Sequence, residues 1–184
     1  MTAEFDLRDA AERGDLGKLK ALIANGANVN NSGGYRGTAL NLAAMKGQHE
    51  CVKILIAAGA DLNVVDGGHR TPIISATERG CSDCVNALIL AGADLEVQDH
   101  LSETALMKAA DRGYVECVKL LVGAGADVNA REKQYYHKTA MDRAHPSVKR
   151  ILRAAAAKTT FGLMLDGVAY ELGITAIIVA LRRK

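Results

Sequence analysis

One stretch of sequence and its copies decide the fold of this chain. Residues 104–129 read TALMKAADRGYVECVKLLVGAGADVN. A threonine that can cap a helix is followed by a short alanine-rich run, a glycine, an apolar second run and another glycine. This order predicts two short helices joined by a tight turn, each ended by a glycine in the left-handed conformation.

The same pattern returns at intervals of 33 residues along the chain. Self-similarity at a fixed period of this length is typical of a solenoid, in which each unit buries its apolar face against its neighbours. The repeated positions are Gly14, Gly47, Gly80 and Gly113; Gly26, Gly59, Gly92 and Gly125; Leu22, Leu55, Leu88 and Leu121; and Thr38, Thr71 and Thr104, with Thr139 arriving two residues late.

These motifs resemble the ankyrin repeat. Residues 71–76 read TPIISA, close to the T-P-L-H-x-A signature, with further copies from Thr38 and Thr104, and residues 125–129 read GADVN. The resemblance covers residues 4–153 and implies an all-α solenoid of helix-turn-helix units with protruding loop fingers. The signature histidine, which would brace the turns, is replaced, so we expect looser turns. Its replacements are Asn41, Ile74, Met107 and Asp142.

The repeat predicts one ankyrin domain over residues 1–153. Its units are expected at about 1–32, 33–65, 66–98, 99–131 and 132–153, the first and last shortened into caps. Residues 154–184 follow as an apolar C-terminal segment that ends in Arg182, Arg183 and Lys184. This segment either folds back over the last unit, which we favour, or binds a partner, or touches a membrane surface.

Composition narrows the class of protein. The chain has 184 residues, 49% of them apolar but only 4% aromatic, which suits thin helices packed over small side chains. A net charge of +2, from 23 basic and 21 acidic residues, gives no overall signature of nucleic-acid binding. The charged N-terminus does not resemble a secretory signal. We therefore expect an intracellular location, in the cytoplasm or alternatively the nucleus.

The sequence offers no recognisable catalytic motif, so we expect no enzyme activity, catalytic residue or cofactor. Cys81 and Cys84 form a CxxC, but no second pair or flanking histidine completes a metal site. Cys51, Cys84 and Cys117 hold one equivalent position on the second helices, which favours a role in the core. His69, His100 and His137 lie in loops too far apart to share an ion.

The ankyrin resemblance implies that recognition uses the concave face, formed by the first helices and the loop fingers. In most units, an acidic residue followed by an arginine stands just before the inter-helix glycine, so that these pairs form a ladder along the array. The ladder either contacts a partner or forms salt bridges within the chain. Tyrosine and arginine in the fingers favour interface contact. The candidate partner-binding residues are Glu12, Arg13, Tyr35, Met45, Lys46, Arg70, Glu78, Arg79, Leu101, Glu103, Asp111, Arg112, Tyr135 and Tyr136.

The resemblance also implies a modification. Asparagines in ankyrin loops can be substrates of an asparaginyl hydroxylase when a leucine lies eight residues upstream, as it does for Asn30, Asn63 and Asn129. The alternative is a turn residue that hydrogen-bonds its own backbone, which we favour.

The expected function is a non-enzymatic interaction module that binds a protein or peptide. Two alternatives remain at this point. In one, the chain is a membrane-associated adaptor located by its apolar tail, although Asp166 and Glu171 count against membrane insertion. In the other, it is a regulatory or inhibitory subunit of an enzyme.

Overall fold

The computed structural model describes residues 3–132 and 137–157. All regular structure in these residues is helical, and no strand occurs among them. The helices are α1 (Ala3–Arg13), α2 (Leu16–Ala24), α3 (Ala39–Lys46), α4 (His49–Ala57), α5 (Pro72–Glu78), α6 (Ser82–Leu90), α7 (Ala105–Arg112), α8 (Val115–Gly123), α9 (Ala140–Arg143) and α10 (149–157), with a 3₁₀ turn at Gly34–Arg36.

The helices form two layers. The first helices of successive units, α1, α3, α5, α7 and α9, pack in that order, and the second helices α2, α4, α6 and α8 pack behind them. Alanines at the centre of the first layer let the backbones approach closely, for example Ala43, Ala44, Ala109 and Ala110, all fully buried. Leu55, Leu88 and Leu121 fill the space between the layers and are also fully buried. The arrangement confirms the predicted all-α repeat architecture.

The turn glycines behave as the sequence predicts. Gly14, Gly47, Gly80 and Gly113 have φ values of 76°, 71°, 68° and 70°, in the left-handed region that L-residues with a side chain seldom adopt. Each inter-helix glycine also lies under the next unit, where Gln48, Cys81, Tyr114 and His145 pack against Gly14, Gly47, Gly80 and Gly113 respectively. A side chain there would be strained in its backbone and, at Gly80 and Gly113, crowded against a neighbour.

The predicted loosening of the turns is wrong where the histidine is replaced by a polar residue. Asn41 forms a capping box with Thr38, and Asp142 forms one with Thr139. Asn41 also donates from Nδ2 to the carbonyls of Val64 (2.9 Å) and Arg70 (3.2 Å), and so ties its own helix to the next finger.

Where the replacement is apolar, the capping is weaker. Thr104 still accepts a hydrogen bond from the backbone of Met107, at 3.3 Å. Thr71, which the sequence predicts to be a cap, makes no side-chain cap bond before Pro72. Its buried Oγ1 has no hydrogen-bond partner. The prediction for Thr71 is therefore wrong, and the side chain of Ile74 offers no polar group that could pair with the Thr71 hydroxyl.

The C-terminal end of the array departs from the repeat. The first helix of the last unit, α9, has only four residues. Residues 149–157 are helical, so the predicted boundary after residue 153 falls inside a helix. A groove of about 940 Å³ separates α8 from α10, with Val122, Val128 and Ile151 in its lining. Residues 158–184, on which the prediction of a folded-back tail rests, lie outside the described residues.

Candidate functional site on the concave face

The concave face joins the last turns of the first helices to the loop fingers. Backbone hydrogen bonds connect successive fingers, from Gly67 N–H to Tyr35 O (2.8 Å) and from His100 N–H to Gly68 O (3.1 Å). A hollow of about 220 Å³ on this face is lined by residues of α5, α7, α9 and the finger between α6 and α7. The face therefore carries side chains from several units on one connected surface.

A buried acid stands at the same position of three successive fingers, namely Asp66, Asp99 and Glu132. Asp66 Oδ1 accepts hydrogen bonds from the backbone N–H groups of Gly68 (2.8 Å) and Arg70 (3.0 Å). Asp99 Oδ1 does the same for the equivalent Leu101 (2.8 Å) and Glu103 (3.0 Å). Asp66 and Asp99 therefore hold their fingers in shape, because each satisfies two turn N–H groups at once.

In the third unit the finger acid is neutralised from within its own finger. The Arg70 guanidinium donates to Asp66 Oδ2 through Nε (3.0 Å) and Nη2 (2.8 Å), and its Nη1 reaches Glu78 at 3.2 Å. Burial alone would raise the pKa of Asp66, but the hydrogen bonds from Arg70 and from the finger backbone outweigh it and lower that pKa. The hydrogen bonds from Asp66 raise the pKa of Arg70.

In the fourth unit Glu103 takes the place of Arg70, and a lysine supplies the charge instead. Lys108 Nζ lies 2.7 Å from Asp99 Oδ2, 2.5 Å from Glu103 Oε2 and 3.2 Å from Glu78 Oε1. Burial would lower the pKa of Lys108, but the contacts with Asp99 and Glu103 outweigh it and raise that pKa.

Arg143 extends the charge network into the last unit. Its Nη2 is in close contact with Glu103 and lies 4.0 Å from Asp111, while its Nη1 lies 3.7 Å from the buried Glu132. Together with the ion pairs of Arg70, Glu78 and Lys108, these contacts of Arg143 join units three to five through side chains of the concave face.

Glu12 plays the corresponding part at the N-terminal end. It pairs with Arg36 at 2.5 Å and with Lys46 at 3.4 Å. The hydrogen bond from Arg36 lowers the pKa of Glu12 against the opposing effect of burial. Arg13 turns away from this group and pairs with Asp9 at 2.9 Å. The acids of the predicted ladder thus pair with cations of other segments, rather than with the arginine beside them.

The structure sorts the candidate partner-binding residues by exposure. Glu103 is only 3% exposed, so the prediction of a finger residue presented to a partner is corrected, and its carboxylate instead pairs with Lys108 and Arg143. Tyr135 and Tyr136 lie outside the described residues. The half-buried residues are Glu12, Met45, Arg70 and Glu78, and the exposed ones are Arg13, Tyr35, Lys46, Arg79, Leu101, Asp111 and Arg112.

Four of the exposed residues are available for contact. Tyr35 is 76% exposed and Leu101 is 37% exposed. Arg79 and Arg112 make no ion pair with any residue in the described part of the chain. The Tyr35 ring lies against the backbone of the next finger, because a Cβ at Gly67 would come within 2.1 Å of that ring. Glycine at position 67 is what lets the ring lie across that backbone.

Sequence reasoning missed the residues that organise this face, namely Asp66, Asp99, Lys108, Glu132 and Arg143. One signal was present. Asp66, Asp99 and Glu132 are 33 residues apart, and an acid retained at one repeat position points to a shared role. A second, weaker signal marked Lys108 and Arg143, which each stand four residues after the helix-capping threonine of their own unit, Thr104 and Thr139.

The side chains of Asn30 and Asn63 bond to the next unit rather than to their own backbone, so the favoured turn interpretation is corrected for these two asparagines. Asn30 Oδ1 accepts from the Asp61 N–H (2.7 Å) and Asn63 Oδ1 from the Asp94 N–H (3.0 Å). The local turn bond is made two residues earlier, for example by Asp127 to the N–H of Asn129 (2.8 Å). Their predicted hydroxylation stays a prediction.

The core role predicted for three cysteines is confirmed, since Cys51, Cys84 and Cys117 are all 1% exposed or less. Burial raises the pKa of the Cys117 thiol to about 11 and also raises that of Cys51. Within residues 3–132 and 137–157, no three histidine, cysteine or acidic side chains come together as a metal site. No helix in this part of the chain is long and apolar enough to cross a membrane.

Comparison with known families agrees with the fold. The family model for ankyrin repeats (three copies) matches residues 7–99 and 87–160. The chain therefore belongs to the ankyrin-repeat family, whose members are generally non-enzymatic protein–protein interaction modules. A search of curated proteins found no match.

Proposed function

We propose that this ankyrin array binds a protein or peptide through its concave face, with Tyr35, Arg79, Leu101 and Arg112 as the principal contacts. The observation that carries the proposal is the division of the cations on that face into an ion-paired group and an exposed group. Arg70, Lys108 and Arg143 are engaged in ion pairs with buried or half-buried acids, whereas Arg79 and Arg112 point to solvent without such a pair in the described residues.

This division supports binding for an energetic reason. Exposed arginines that are not paired in the free protein can pair with a partner without first breaking an internal bond. Tyrosine adds large contact area at a low ordering cost. The charge network and the linked fingers keep the backbone beneath them fixed, which lowers the entropy lost on binding. A partner with acidic and apolar side chains suits these four residues best.

The experiment compares two triple variants in affinity capture followed by titration of the captured partner. Tyr35→Ala/Arg79→Ala/Arg112→Ala removes one large side chain and two cations from the concave face. Leu90→Ala/Lys53→Ala/Lys119→Ala removes the same from the outer helices, where Leu90 is 79% exposed. We expect the first variant to weaken binding at least tenfold and the second to leave it unchanged. Equal binding by both variants would show that recognition occurs elsewhere.

A further inference from the structure

Two thiols meet at the start of α6. Cys81 is the residue immediately before the helix and Cys84 lies in its first turn, with their Sγ atoms 3.0 Å apart. A disulfide is about 2.05 Å long, so a shift of about 1 Å would bring the sulfurs to bonding distance. Cys84 is fully buried, whereas Cys81 is only partly buried and packs against the Gly47 turn of the preceding unit.

This juxtaposition occurs in one unit of the array. Cys51 and Cys117 occupy the same helical position as Cys84, but the residues that correspond to Cys81 are Gln48 and Tyr114. Both of those side chains also pack against an inter-helix glycine, so packing at this position does not require a sulfur. The chain therefore holds two buried single thiols as internal references for the pair.

We propose that Cys81 and Cys84 form a reversible intramolecular disulfide, with hydrogen peroxide or another peroxide as the oxidant. The Cys81 thiolate attacks one peroxide oxygen, which gives Cys81 sulfenic acid and a hydroxide that takes up the proton lost by Cys81. Cys84 sulfur then attacks the Cys81 sulfur, and the sulfenic oxygen leaves as water with the Cys84 proton. In sum, two thiols and one hydrogen peroxide give one disulfide and two waters.

The surroundings assign the two roles. Cys81 is the more exposed thiol and therefore the one that an oxidant reaches. Cys84 is buried beside it, with the two Sγ atoms 3.0 Å apart. Burial raises the pKa of the Cys84 thiol, helped by the adjacent Cys81, so Cys84 stays protonated until the sulfenic acid forms beside it. Return to the dithiol takes place by exchange with an external thiol such as glutathione.

The test exposes the folded protein to hydrogen peroxide, removes the oxidant, unfolds the protein and labels free thiols with N-ethylmaleimide. Trypsin cleavage places the pair in the peptide 80–108, Cys51 in 47–53 and Cys117 in 113–119. We expect the peptide 80–108 to lose about 2 Da and to carry no label. The peptides 47–53 and 113–119 stay labelled. Dithiothreitol restores labelling of the pair.

Two single variants separate the roles. In Cys84→Ser, the Cys81 sulfenic acid has no resolving thiol and is trapped by dimedone. In Cys81→Ser, the Cys84 thiol is oxidised no faster than Cys51. Circular dichroism confirms that both variants are folded, and serine suits a position before a helix. The proposal is overturned if the pair stays fully labelled after peroxide, or if Cys51 and Cys117 are oxidised at the same rate as the pair.

Discussion

Replacing Lys108 by methionine tests the charge network of the concave face. Lys108 has a side chain only 14% exposed, and it faces Asp99 and Glu103, whose side chains are 0% and 5% exposed. Methionine keeps the length and the apolar stem of lysine but removes the ammonium. The substitution therefore removes a paired cation from two buried carboxylates, while Glu103 retains its contact with Arg143.

The size of the effect follows from that burial. Removing one partner of a buried ion pair lowers the free energy of unfolding by about 3–5 kcal/mol. Because the Arg143 contact remains, we expect Lys108→Met to lie at the lower end of this range, at about 3 kcal/mol. For a protein of this size, each kcal/mol lowers the melting temperature by about 2–4 °C, which gives a decrease of about 6–12 °C. Lys119→Met is the matched control, because Lys119 and Glu116 are 55% and 62% exposed and such a pair contributes about 0–1 kcal/mol.

Urea denaturation followed by circular dichroism at neutral pH measures both variants. A difference under about 1 kcal/mol between Lys108→Met and Lys119→Met would refute the reasoning, because it would mean that water already solvates Asp99 and Glu103. Alkaline pH gives a second readout. The pKa of Lys108 is raised above its ordinary 10.5 in the folded protein. Its contribution to stability is therefore complete below pH 10.5 and is lost as the pH rises through the folded pKa, so the gap between wild type and Lys108→Met narrows there.

Three other predictions follow from the units of the array. Asn41→Ala should lower the free energy of unfolding by about 2–4 kcal/mol, because it leaves the Thr38 N–H and the Val64 carbonyl without their partners and removes one of the two hydrogen bonds to the Arg70 carbonyl, and urea titration measures it. Asn41→His, the family residue, should lose less than half as much, and an equal loss would contradict this role. Deleting residues 159–184 should lower the melting temperature and promote aggregation, because we expect this apolar segment to cover the groove beside Val122, Val128 and Ile151. An unchanged melting curve would exclude that covering role. With an asparaginyl hydroxylase, peptide mass spectra should show a gain of about 16 Da at Asn129 before Asn30 and Asn63, whose side chains already bond the next unit. Equal rates at all three asparagines would contradict this order.

The repeat made most of the backbone predictable. A glycine every 33 residues can be recognised without coordinates, and the structure gives the left-handed conformation to each of them. Thr38, Thr104 and Thr139 cap their helices as the sequence predicts. Thr71 does not, since a capping residue is identified by its type whereas the hydrogen bond depends on local geometry. Asn41 is the opposite case. The sequence predicts a looser turn where Asn41 replaces the signature histidine, but the Asn41 side chain braces that turn through its hydrogen bonds.

The charges of the concave face were predictable in position but not in pairing. Glu78 stands beside Arg79 in the sequence, yet it pairs with Arg70 eight residues earlier and with Lys108 in the next unit. Such pairs depend on which side chains the stacking of units brings within about 4 Å, and a one-dimensional pattern does not contain that distance. The burial of a side chain likewise depends on how the units stack. Glu103 looks like a finger residue in the sequence, and only the packing of Lys108 and Arg143 against it shows that it lies inside.

Site-specific photo-crosslinking tests the proposed recognition surface most directly. A photoreactive phenylalanine replaces Tyr35 in one protein and Leu90 in another, since both side chains are more than 75% exposed but lie on the concave face and on the outer helices respectively. Each protein is irradiated with the partner captured by the wild type. Binding through the concave face predicts a crosslinked complex from position 35 and none from position 90. A crosslink from position 90 alone would contradict the proposed surface.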